Sequence, residues 1–167
     1  MLKFMFKYTL TRWARARGDA FAQDVPHSLR SGDSARRAYV GAQMEIRELP
    51  GLGVNVDRVV YRPDVEAPVD RPYAFAYFIT IRNDSPETVT IKGRKWVITD
   101  AAGSRVVVEG DGVVGQFPRL RTGEQFSYNS HHVIGSDSHA EGAYIGMTDA
   151  GNAVITRIPR FDMQVPG

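Results

Sequence analysis

From Val54 onward the apolar residues of this chain tend to recur at every second position, and after residue 50 no segment of helical length shows a 3.6-residue period. Successive side chains on a strand point to opposite faces, so a period of two is the mark of a half-buried strand. The clearest case is Tyr73-Ala-Phe-Ala-Tyr-Phe-Ile-Thr-Ile-Arg82. Tyr73, Phe75, Tyr77, Ile79 and Ile81 share one face, and Ala74, Ala76, Phe78 and Thr80 share the other. Val54, Val56, Arg58, Val60 and Arg62 alternate in the same way with Asn55, Asp57, Val59 and Tyr61.

Further strands are expected at Thr88–Ile91, Arg94–Asp100, Arg105–Glu109, Gln125–Ser130, Ala143–Thr148 and Val154–Ile158. Phe161–Val165 adds an edge strand after Pro159. Turn residues separate them at Asn83-Asp-Ser-Pro86, Ala101-Ala-Gly103, Arg121-Thr-Gly123 and Asp149-Ala-Gly-Asn152. Seven or eight short strands punctuated this way predict an all-β antiparallel sandwich over residues 51–167. Trp96, in Lys95-Trp96-Val97, is expected in its core on a central strand.

Residues 1–50 read as a helical extension and linker. Phe6, Leu10, Trp13 and Ala14 fall on one helical face, among Lys3, Lys7, Arg12, Arg15 and Arg17. Such a basic amphipathic helix docks on its own domain, lies on a membrane surface or serves as a transit peptide. A second helix is expected from about Asp33 or Ser34 to about Glu48, ended by Leu49-Pro50-Gly51.

Charge separates the two parts. Residues 1–53 carry nine Lys and Arg against five Asp and Glu, and residues 54–167 carry twelve against fourteen. The sandwich is thus slightly acidic, which disfavours nucleic-acid binding, because phosphate contacts need a clustered basic surface. No apolar run approaches the ~20 residues that span a bilayer. There is no cysteine, which excludes disulfides, thiolate metal sites and cysteine nucleophiles and fits a cytoplasmic location.

Gly110-Asp-Gly-Val-Val-Gly115 matches the dinucleotide-binding spacing G-x-G-x-x-G and follows a strand. That chemistry also needs a helix directly afterwards, whose N-terminal N–H groups hold the pyrophosphate. Gln116-Phe117-Pro118 stands there instead, so the stretch reads as an inter-strand loop with positive φ or close backbone approach. A residual glycine nest for an anion stays open. His131, His132 and His139, near Asp137 and Glu141, invite a metal reading. Neighbouring strand residues face opposite ways, so His131 and His132 do not readily share one ion, and exposed loop histidines are expected. No G-x-S-x-G elbow appears, and acid pairs are scattered through turns.

Several stretches together resemble the ApaG domain family, DUF525. They are Tyr73–Asn83, Arg94–Asp100, Gly103, Gly110–Gly115 with Pro118 and Leu120, Gly123-Glu124 with Phe126–Tyr128 and Ser130, Gly142–Tyr144, and Ile158–Phe161. The resemblance covers about two thirds of the chain, in the family's order, and implies a fibronectin type III-like or immunoglobulin-like sandwich. It implies no established catalytic activity, an association with cobalt resistance and magnesium efflux, and use as a protein-interaction module. Lys95 stands where the family often has His, Phe117 where Gln is usual, and His139-Ala-Glu141 replaces a small stretch.

The resulting expectation is a non-enzymatic module that needs no cofactor or metal and binds a protein partner. The candidate contact residues are Gly110, Gly112, Gly115, Phe117, Arg119 and Arg121. A homodimer is compatible with it. The alternative is a small-ligand sensor for a phosphate-rich metabolite or divalent cation.

Overall fold

The computed structural model describes residues 45–167. Nine strands follow one another: β1 (Arg47–Glu48), β2 (Leu52–Tyr61), β3 (Tyr73–Asn83), β4 (Val89–Asp100), β5 (Arg105–Asp111), β6 (Arg119–Leu120), β7 (Glu124–Ile134), β8 (Ser138–Thr148) and β9 (Ala153–Met163). They form two sheets. One runs β1-β9-β8-β4-β5, with β6 also paired to β4, and the other runs β2-β3-β7. Every pair is antiparallel except β1 with β9. The expected all-β sandwich is thus the fold.

The core lies between the sheets. Phe75, Tyr77, Ile79 and Ile81 of β3 meet Val89, Ile91 and Trp96 of β4, Ala140 and Tyr144 of β8, and Ile158, Phe161 and Met163 of β9. Trp96 is 1% exposed, at the position expected of it. Its ring lies 5.1 Å from that of Tyr77 and 5.8 Å from that of Phe161.

Three strands carry an irregularity that strict alternation does not anticipate. In β2 the register shifts between Val56 and Arg58, leaving Asp57 as an extra residue. An extra residue flips every later side chain to the other face. Val56, Val59 and Tyr61 therefore pack against the core, rather than the series Val56, Arg58, Val60. In β4 the shift falls between Ile91 and Gly93, so the two strands expected at 88–91 and 94–100 are one strand with its phase reversed at Lys92. In β9, Ile158 pairs with Gly142 and Phe161 with Ala140, so Pro159 and Arg160 together oppose Glu141. A bulge tolerates a proline that cannot donate to the ladder, and β9 runs on through it to Met163.

The expected N-terminal helices lie on residues 1–44, outside the described residues, save the end of the second. Its final positions, Arg47 and Glu48, form β1 beside Val154 and Ile155. No helix among the described residues is long and apolar enough to cross a membrane.

Candidate functional site

Beyond β5 the chain closes into a two-residue turn. The Val113 N–H donates to the Gln116 carbonyl at 2.8 Å, and the Gln116 N–H to the Val113 carbonyl at 2.9 Å. Val114 and Gly115 between them have φ of +44° and +78°. Positive φ at both central residues is the requirement of a type I′ hairpin turn, for which Asn-Gly is the favoured pair. Valine is costly there, on the order of 1–2 kcal/mol, because its Cβ crowds the following carbonyl. Val114 is the one non-glycine residue with positive φ among the described residues.

The turn is held from three sides. The Val113 side chain is fully buried in the core. The Arg94 guanidinium, reaching from β4, donates through Nη1 to the carbonyls of Asp111 and Gly112, each at 3.0 Å. The Gly112 N–H donates to the Lys92 carbonyl at 2.8 Å. A Cβ at Gly112 would sit 2.2 Å from the Gln116 carbonyl oxygen, so no side chain fits. The backbone is thus anchored while two apolar side chains face solvent: Val114 is 45% and Phe117 54% exposed.

The six residues singled out in the sequence fall along this one segment, in different circumstances. Gly110 lies under the Arg94 guanidinium, and Gly112 and Gly115 shape the turn. Phe117 is followed by Pro118, whose carbonyl accepts the Ile91 N–H at 2.9 Å and ties the segment to β4. Arg119, on β6, donates to Asp149 at 2.6 Å. The Arg121 side chain forms no ion pair among the described residues, while its N–H donates to Glu124 at 2.7 Å. No helix follows Gly115; the chain passes through Phe117 and Pro118 into β6. The N–H groups of Gly112, Val113 and Gln116 are already used within the chain, which leaves few donors for an anion nest.

The histidines are not where the loop reading puts them. His131 and His132 lie within β7 and His139 within β8. Alternation leaves His131 exposed and turns His132 into the core, 8% exposed. The His132 ring sits 4.7 Å from Tyr77 and 5.0 Å from Trp96. Burial, aided by the nearby His131, lowers its pKa to about 4, so it is neutral at neutral pH. Its Nε2 has no hydrogen-bond partner. His131 and His132 border a cleft of about 420 Å³ between the open edges of the two sheets, where Val106 and Val108 form the opposite wall. Neither histidine hydrogen-bonds a carboxylate or a serine among the described residues, the contact that defines a nucleophile–base pair. No group of three metal-ligating side chains gathers among them either.

The sequence reading missed Arg94 and Val114. No local pattern betrays Arg94, whose role depends on the β4–β5 register. Val114-Gly115 sits at a hairpin position where Asn-Gly is the recognisable signal.

Two packed sheets, with an anchored, apolar-tipped turn between β5 and β6, define a small β-sandwich domain. Within that class the relationships are specific. A family model described as the ApaG domain matches residues 63–147. Protein ApaG of Vibrio cholerae is 35% identical over 119 residues, covering 71% of this chain and 94% of the relative. Protein ApaG of Acidithiobacillus ferrooxidans is 37% identical over 102 residues, covering 60% and 80%. The crystal structure described as the putative ApaA protein from Bordetella pertussis superposes with a TM-score of 0.63 at 30% identity, covering 73% of this chain and 98% of that one. The chain belongs to the ApaG domain family.

Proposed function

We propose that this ApaG-family chain is a non-enzymatic binding module that recruits a protein partner through the turn after β5, with Val114 and Phe117 as apolar contacts and Arg121 as a charged one. The observation that supports this is Val114. Backbone strain persists only where the surrounding structure imposes it, and it concentrates at functional sites. Here it holds a valine at positive φ with its side chain 45% exposed. Exposed apolar residues that sit together mark interaction sites, and Val114 and Phe117 stand exposed three residues apart in this one segment. A connection to cobalt or magnesium handling would then run through the partner rather than through a metal held by the described residues.

A photocrosslinking residue at position 117, introduced in the chain expressed in its own cells, tests this. A discrete protein adduct is expected, absent when the probe stands at Val69, which is 98% exposed and far along the sequence from the turn. Charge reversal at Arg119 and Arg121 should weaken the adduct. Equal labelling from positions 117 and 69 would count against the turn as a contact surface.

A further inference from the structure

Beside the turn, β5 itself is an unprotected edge. Among the described residues β4 lines one side of it and nothing pairs with the other. Natural sandwiches blunt such edges with proline, lysine or a bulge. β5 has no proline or lysine, and its register with β4 is unbroken from Arg105 to Asp111. Val106, Val107 and Val108 are 50%, 42% and 39% exposed.

Arg105-Val-Val-Val-Glu109 also reads the same in reverse, with opposite charges exchanged at its ends. A two-fold interface requires this self-complementarity, since each residue i that meets j is matched by a j that meets i. Antiparallel pairing centred on Val107 sets Arg105 of one copy opposite Glu109 of the other, twice. Val106 then faces Val108 and Val107 faces itself. The charges are accessible for it: Arg105 forms no ion pair among the described residues, and Glu109, which accepts from Lys95 at 2.5 Å, keeps its side chain 37% exposed. Slipping the register by one residue would set Arg105 against Val108 and Glu109 against Ser104, or Arg105 against Gly110 and Glu109 against Val106, and either slip loses both charge pairs.

We infer that two copies of this chain associate edge to edge through β5, extending the larger sheet across a two-fold axis at Val107. The inference stands apart from the partner reading, since it uses none of Val114, Phe117 or Arg121.

Sedimentation of the full chain over a concentration series tests it. The wild type should pass from monomer to dimer. Arg105→Glu places Glu against Glu and Glu109→Arg places Arg against Arg, so each alone should weaken dimerisation about tenfold or more. Mixed together, the two variants should recover a heterodimer, because every opposed pair is then of opposite charge. Glu109→Arg also removes the bond to Lys95, so Val107→Lys, which sets two ammonium groups face to face at an exposed position, supplies an independent disruption. Phe117→Ser should leave the dimer unchanged while abolishing partner capture at the turn. A wild type that stays monomeric throughout, a dimer indifferent to Arg105→Glu and Val107→Lys, or a mixture that does not recover association would each overturn the inference.

Discussion

His132 should make this domain lose stability in mild acid, by an amount that one substitution removes. In the folded chain its pKa is about 4, against an ordinary value of 6.5. The chief cause is burial among Tyr77, Trp96 and Phe161, which disfavours the imidazolium, with the neighbouring His131 adding repulsion. The folded pKa of this base lies below its unfolded value, so the unfolded chain takes up the proton first. Its stabilising contribution is therefore complete above pH 6.5, declines as the pH falls toward 4, and levels off below that. Each pKa unit corresponds to about 1.4 kcal/mol, and the linkage integral from about pH 8 down to about pH 5 gives a loss of about 2 kcal/mol. Urea unfolding of wild type and His132→Gln at those two values isolates the effect, because carboxylates and exposed histidines titrate alike in both. The wild type should lose about 2 kcal/mol more than the variant between them. Parallel losses in the two proteins would refute the argument, since they would mean that the folded chain accommodates a charged His132.

Val114→Asn should stabilise the domain by about 1 kcal/mol, read as a rise of several degrees in melting temperature, because asparagine accepts positive φ more readily. Asn83 should be costly to remove. It is fully buried, its Nδ2 donates to the carbonyls of Glu87 and Leu120 at 2.8 and 2.9 Å, and its Oδ1 accepts from the N–H and hydroxyl of Ser85. Asn83→Ala strands these groups, with an expected loss of about 2–4 kcal/mol in urea unfolding. Gly142→Ala should cost at least about 1–3 kcal/mol, the range for overpacking, because the new Cβ would sit 2.1 Å from the Lys95 carbonyl oxygen between two paired strands.

Much of the fold was legible because it depends on local alternation. β3 is the plainest example: its face of Tyr73, Phe75, Tyr77, Ile79 and Ile81 is the face that packs inward. Reading failed where the alternation breaks. Asp57, Lys92 and the pair Pro159-Arg160 each shift the phase by one, and a break in pattern looks the same in a sequence whether a strand ends or bulges. The histidines were lost the same way. β7 runs past its expected end at Ser130, because the polar His131 and His132 are carried on a strand whose partner, β3, runs the full length beside them.

The glycine segment divides along the same line. Its spacing, the strand before it and the Phe-Pro after it are sequence facts, and they suffice to reject a phosphate cradle and to suggest the family. That Val114 would be the strained residue, that Arg94 would hold the carbonyls of Asp111 and Gly112, and that three valines would stand on an edge unpaired among the described residues depend on which strand lies beside which. Alternation along a strand is set by each residue's own geometry and its immediate neighbours, so it is written locally. Sheet order, bulge placement and edge exposure arise from pairing between residues distant in the chain, and only the packed structure decides them.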